Sequence, residues 1–370
     1  EVGQYDHDEG TVTTTTLHQD YERDDHDDPT FAVRPDGRLV VFYTRHGGSE
    51  VNYRISEVPE DVSAFGPERR IEPGGPDRSV TYPNPRWIDG DLYLFLRNDG
   101  GGLGRIVCVV SPDGGESWGE QQSILTTGGD GWCVYHKLSR TRDGEVHLGL
   151  THAMGGGNDP HRHVNHARFD GDALRASDGT TLGRATEDSL PVAFGETTTV
   201  FDSDAGGDDA WIWDCAAPDG RPQLAYAQLV SETDHRYRYA RWDGEAWQDE
   251  LLCHGGEHVV TGEDNYETYY SGGVVLDHDA PGVCYASVGS HDSSALLRFE
   301  RVDDGEWRQT TIADADSQNV RPVVPWNRHS ELGVCWLRGE YTHFAPGRFE
   351  DDGAAYRTAV VGADVEDGDG

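Results

Sequence analysis

Lysine is almost missing from this chain of 370 residues: Lys137 is the only one, and every other basic side chain is arginine. The 30 basic residues face 68 acidic ones, which leaves a formal net charge of −38. No basic stripe exists to neutralise phosphates, so a nucleic-acid binder is excluded, and so is a protein that reads anionic lipid through clustered Lys and Arg. Apolar runs of about 18 residues are also absent, so no membrane-spanning helix is expected. Six cysteines are spread through the chain without a CxxC, which removes the usual spacing of a redox or zinc motif. Most sit in strand-like runs such as Val-Cys-Val and are read as small core hydrophobes. Cys253 beside His254 is the one pair that invites a structural metal.

Replacing lysine by aspartate, glutamate and arginine is the pattern of a protein that folds in molar salt. There the Debye length is about 3 Å, and repulsion between surface carboxylates is screened. A halophilic source is the expectation. High charge does not mean disorder here, because 35% of the residues are apolar and 10% aromatic, enough to bury a core. Helical periodicity is scarce and no Pro- or Ser-rich linker divides the chain, so residues 1–370 are expected to form a single all-β domain, with 362–370 as a tail.

What is abundant is glycine, 47 residues, much of it in Asp-Gly turns. Asp36-Gly37, Asp89-Gly90, Asp143-Gly144 and Asp219-Gly220 each lie between two strand-like runs: 30–33 and 39–44, 84–88 and 92–97, 134–140 and 145–151, 211–216 and 223–228. An Asp-Gly flanked by alternating hydrophobics is a strong hairpin signal. Two later modules, 272–287 and 321–336, share the rhythm. Units of about 40–50 residues with four short strands are propeller blades, which cannot bury both faces alone. Six modules are visible, and a seventh is expected from pairing 11–17 with 356–361. The predicted fold is therefore a seven-bladed β-propeller of four-stranded antiparallel blades. Ser111-Pro-Asp113-Gly-Gly115-Glu-Ser117-Trp118 fits the S-x-D-x-G-x-x-W Asp box, a structural turn that resembles the repeat of sialidase-like propellers.

With so many carboxylates, acidic residues carry little information about a site, whereas His, Tyr and Arg carry more. His26 precedes the first strand of the first hairpin and His46 follows the second, so an antiparallel hairpin brings both to one rim. Tyr82 and Arg97 repeat that placement in the second module, and Tyr135, His136 and His152 in the third. The same rim receives a basic or phenolic group module after module.

The strings His26-Asp-Asp-Pro, Arg45-His46-Gly, Thr81-Tyr82-Pro, Leu94-Phe-Leu-Arg97, Tyr269-Tyr-Ser-Gly-Gly273 and Arg321-Pro-Val-Val-Pro325, in this order, resemble the BNR-4 type seven-bladed propellers. That group includes lyases acting on ulvan and related enzymes that cut between rhamnose and glucuronate. The resemblance implies a site formed by His26, His46, Tyr82 and Arg97 with Tyr135 from the next blade. It gives His136 and His152 no counterpart, and these two, with Arg321, stand as further substrate-binding candidates of lower rank. The implied substrate is an acidic polysaccharide, and since a polymer cannot enter a cell, a secreted enzyme is expected, acting as a monomer.

Breaking a 4-O-glycosidic bond by β-elimination requires removal of the C5 proton beside a carboxylate and stabilisation of the resulting dianion. Arg97 suits the carboxylate, while His46 and Tyr82 suit the base and acid roles, with His26 in support. No cofactor is required by this chemistry. Acidic clusters at Asp24–Asp28 and at Asp202, Asp204, Asp208 and Asp209 offer places for a structural calcium, and zinc is the other candidate. Two readings compete with the lyase: a glycoside hydrolase of rhamnosidase type on the same propeller, and a propeller that binds glycans without acting on them.

Overall fold

The computed structural model describes residues 1–22, 24, 26–74, 78–129, 131–154, 161–259, 270–290, 292–302, 305–326, 332–340 and 357–363. Tyr269, Tyr356 and residues 364–370, which figured in the sequence expectations, lie outside them. Among the described residues almost all regular structure is β, and the single α-helix is Ser203–Gly206, one turn long. Two compact units divide the chain. The first comprises 1–134, 170–173 and 183–196, and the second 135–169, 174–182 and 197–370.

In the first unit, Thr30–Val33, Leu39–Thr44, Val51–Ile55 and Arg69–Ile71 form one antiparallel meander. Val80–Ile88, Asp91–Asn98, Arg105–Ser111 and Gln122–Thr126 form the next, extended by a short parallel strand, Val192–Ala193. The turn between Val80–Ile88 and Asp91–Asn98 shows why the sequence folds here: Asp89 and Gly90 both take positive φ (50° and 93°), as a type I′ hairpin turn requires. Alternation along these strands buries Val40, Phe42, Leu94, Leu96 and Val107 in one apolar cluster, with Trp87 and Trp118 packed on it. Truncating one such leucine to alanine typically costs about 2–5 kcal/mol. The Asp box is a structural turn. Asp113 accepts the Glu116 and Ser117 amides at 3.1 and 2.8 Å, and Trp118 meets Phe42 and Tyr53 edge-on at 5.8 and 6.0 Å.

In the second unit, Asp209–Ala216, Gln223–Ser231, Asp234–Trp242 and Trp247–Gly256 form a regular meander, and Val274–Leu276, Val283–Gly289, Ser294–Arg301 and Trp307–Ala313 another. One parallel bridge, Gly256 to Gly289, joins them. Only glycine fits there, because a Cβ on Gly256 would lie 1.8 Å from the Gly289 carbonyl oxygen. Their core holds Tyr237, Tyr239, Ala225, Ala227, Leu276 and Phe299. A six-stranded sheet around Val146–Met154 and His161–Phe169, and a three-stranded sheet of Gln318–Val323, Val334–Glu340 and Arg357–Ala363, complete the main elements.

Blade-like meanders are thus the repeating unit of an all-β chain, but among the described residues four regular four-stranded ones are formed and not seven. The expected closing module is absent among the described residues. Thr11–Thr15 pairs with its own neighbour Val2–Asp6, and Arg357–Ala363 pairs with Val334–Glu340. Each segment finds a partner close by in the chain, which costs less loop-closure entropy than pairing the two ends with each other. That last strand also runs through Gly362 and Ala363, which were expected in the tail.

Candidate active site

Within the first unit the hairpin geometry does bring four of the expected residues together. His26 lies before Thr30–Val33 and His46 after Leu39–Thr44, and their imidazoles stack at 3.9 Å between centroids with only 9° between planes. The neighbouring meander is tied to this loop by two hydrogen bonds, Val80 N–H to the Gly48 carbonyl at 2.8 Å and Gly47 N–H to Thr81 Oγ1 at 2.9 Å. Tyr82 therefore stands 5.8 Å from the His26 ring, and the Arg97 guanidinium lies over the Tyr82 ring at 4.8 Å.

Tyr82 is held in an unusual backbone state. Its φ is +58°, and the strand register passes from Thr81 opposite Arg97 to Asn84 opposite Phe95, so Tyr82 and Pro83 together face Leu96 alone. This is a β-bulge, and a bulky residue at positive φ stores about 1–3 kcal/mol of strain. Pro83 has no N–H to lose from the ladder, which suits it to the extra position.

Asp24 organises the histidines. One carboxylate oxygen meets His26 Nδ1 and also accepts the His26 backbone N–H at 2.9 Å; the other lies 3.2 Å from His46 Nδ1. Burial pushes the Asp24 carboxyl up, but the His26 hydrogen bonds and the field of both imidazoles outweigh it and hold the group far below the usual carboxylate range. An ionised carboxylate only accepts, so the imidazole nitrogen that faces it carries a proton; in neutral His46 that proton is on Nδ1 and the lone pair is on Nε2, turned away from Asp24. Burial lowers the His46 pKa, and the charge of His26 lowers it further against the opposing effect of Asp24. His46 is thus a neutral imidazole at neutral pH, and 40% of its side chain is exposed.

Arg97 is 5% exposed and pairs through Nε with Asp99 at 2.7 Å. Burial raises the Asp99 pKa although Arg97 opposes it. Asp27 adds a further buried carboxyl, pushed up to about 7 by burial and by the nearby Glu22 and Asp24.

The remaining candidates belong to the second unit. His136 is a buried residue of the strand Trp132–Leu138. His152 lies 5.1 Å from the His163 ring, and burial, then His163 and Arg162, depress its pKa to about 4. Tyr135 stands 5.8 Å from Trp211, and Arg321 lies at 4.9 Å from both Trp213 and Tyr270. Sequence reasoning missed the organising roles of Asp24 and Asp99 and the aromatic partners Trp213 and Tyr270. The Asp-x-His spacing of Asp24 was the available signal, submerged among 68 acidic residues.

Among the described residues, two groups offer donor atoms close enough for a metal: Asp24 with His26 and His46, and His163 with Asp202 and Asp204. The expected acidic clusters are thus divided, since Asp208 accepts a hydrogen bond from Gln228 at 2.6 Å. Cys253 is in neither group; burial raises its thiol pKa to about 12, while His254 faces Asp234.

These meanders and this rim site are those of a β-blade protein, and residues 1–253 match the model of the BNR repeat-containing family. The chain belongs to that family. No curated protein sequence matches it. Among solved structures it is similar to a polysaccharide lyase described as a PL25 ulvan lyase, with a TM-score of 0.67 and 17% identity over 91% of this chain and 83% of that one. It is also similar to the polysaccharide lyase Uly1, with a TM-score of 0.60 and 13% identity over 92% and 82% of the two chains. At such identities the shared property is the fold.

Proposed function

We propose that this protein is a polysaccharide lyase that cleaves a rhamnose–uronate linkage of an acidic polysaccharide such as ulvan by β-elimination. The observation that carries the reading is the stacked His26–His46 pair on one ionised carboxylate, set beside Tyr82 and Arg97. Its fold likeness to two polysaccharide lyases supports the same class.

Arg97 brings positive charge to the uronate carboxylate, which raises the acidity of the C5 proton and stabilises the dianion formed when it leaves. His46 Nε2 takes that proton, for which a depressed pKa and a fixed Nδ1–H tautomer prepare it. The C5 electron pair then forms the C4=C5 bond as the C4–O bond breaks, and the Tyr82 hydroxyl donates a proton to the departing oxygen. His26 supports His46: stacked on it, it disfavours a second positive charge in the pair. Positioned acid–base groups typically contribute about 10²–10⁴-fold each.

This sequence of steps uses no cofactor. A structural divalent ion, if bound, has the two donor groups named above as its places. We further propose that the enzyme is secreted, since its substrate is polymeric, and acts as a monomer.

His46→Ala and Arg97→Ala tested on ulvan in molar NaCl examine the assignment. Each should lose at least about 10²-fold in kcat, with circular dichroism unchanged. Wild-type turnover by either folded variant would remove it from the reaction.

A further inference from the structure

The strained bulge that presents Tyr82 occurs a second time. In the strand Gln318–Val323, Arg321 has φ of +55° and is followed by Pro322. Register passes from Val320 opposite Leu337 to Val323 opposite Cys335, so Arg321 and Pro322 together face Trp336 alone. Residue count, sign of φ and position of the proline all match the Thr81-Tyr82-Pro83 site. Strain of this kind persists where the surrounding structure enforces it, and it clusters where a side chain must be aimed. The Arg321 N–H is anchored on the Gly272 carbonyl at 2.7 Å.

What the bulge aims is a guanidinium between two aromatic faces, Trp213 and Tyr270, each 4.9 Å away. Trp213 itself sits on an irregular position of its strand, between Ile212 and Asp214, and its indole N–H donates to Ser271 Oγ at 3.0 Å, which fixes the ring. Trp211 continues the aromatic surface, 6.3 Å from Trp213 and 5.0 Å from Tyr270. Trp211, Trp213 and Arg321 are all partly exposed. Stacking orders the guanidinium through its faces, whereas its N–H donors lie in the plane and match a carboxylate in a fork. Flat indole surface beside such a fork suits a sugar ring that bears a carboxylate.

We infer that Arg321, Trp213, Trp211 and Tyr270 form a binding subsite for a uronate residue of the polysaccharide, separate in role from the bond-breaking group around His46. The ligand class rests on the proposed function, but the subsite is tested by binding alone. Calorimetric titration of the His46→Ala protein with an ulvan tetrasaccharide, and with the same tetrasaccharide after reduction of its carboxyl groups, provides the readout. Arg321→Gln and Trp213→Ala should each weaken binding of the acidic form about 10-fold or more, as loss of a charge-assisted contact implies. The reduced form should bind weakly to all three proteins. With His46 restored, Arg321→Gln should raise KM by a similar factor and leave kcat nearly unchanged; Arg321→Lys, which keeps the charge but not the fork, should recover only part of the loss. Binding of the acidic tetrasaccharide that is indifferent to both substitutions overturns the subsite. Arg321-dependent binding in a protein that forms no unsaturated product would leave the subsite standing and remove the lyase reading instead.

Discussion

In the proposed reaction His46 acts as a base only while its Nδ1 keeps the proton and its Nε2 does not, and Asp24, 3.2 Å from Nδ1, is the group placed to favour that tautomer. In Asp24→Asn the amide can no longer accept from both imidazoles, so one ring must turn or change tautomer. The expected result is a fall of about 10²-fold or more in kcat with little change in KM; retention of wild-type kcat would show that the carboxylate does not set the tautomer. The pH profile carries an independent check. Burial and the His26 charge place the His46 pKa below 6.5, so the acidic limb of kcat/KM should lie below pH 6.5. Asp24 is what holds that pKa up, so any residual activity of Asp24→Asn should lose its acidic limb at still lower pH. A limb above pH 6.5 in the wild type would contradict the assigned base.

At the scale of elements, the hairpins were legible because each announces itself twice, in the alternation of its strands and in an Asp-Gly turn. Residues 30–33 and 39–44 fall on strands without adjustment. The bulges were not legible, since Tyr82-Pro83 and Arg321-Pro322 read as strand starts and only register shows them as inserted pairs facing one residue. The module count failed for a related reason: whether 11–17 pairs with a distant segment or with its own neighbour is decided by competition between partners, and the local hairpin with Val2–Asp6 closes a far shorter loop. His26 and His46 were legible as a pair because hairpin ends meet, while Asp24 was hidden by composition.

One element makes a stability prediction. His147 Nδ1 and His166 Nε2 are 3.0 Å apart in a buried sheet, and His166 Nδ1 lies 2.8 Å from Ser177 Oγ. Burial, then the Arg168 charge, lowers the His147 pKa to about 4. Because the folded value lies below the unfolded one, the unfolded chain takes up the proton first. The contribution is fully present above pH 6.5 and is lost as pH falls from there to about 4, on the order of 3 kcal/mol in total. His147→Gln keeps a hydrogen-bonding side chain that does not titrate. Its denaturant stability should therefore vary less steeply than that of the wild type across this window; equal slopes would mean that His147 is not held neutral.

For the molecule as a whole, the net charge of −38 first reads as a statement about partners, yet the proposed substrate is itself a polyanion. In dilute buffer such a surface repels it over a Debye length of about 30 Å at 0.01 M, against about 3 Å at 1 M. On the proposed function, the charge describes the medium, and Arg97 and Arg321 are the groups proposed to meet the partner. We propose that activity on the polymer rises with NaCl beyond the concentration at which the fold is already stable, seen as a falling KM at constant circular dichroism. Activity that peaks in dilute buffer with the fold intact would contradict this reading of the charge.

Product identity tests the central claim most directly. Wild-type protein incubated with ulvan in molar NaCl should release oligosaccharides whose new non-reducing ends are C4=C5 unsaturated uronates, detected by their ultraviolet absorbance and by a mass lower by one water than the hydrolysis product. New reducing ends that appear without that absorbance, on saturated fragments, would mean that the His46 and Tyr82 site hydrolyses the bond, and elimination would be excluded.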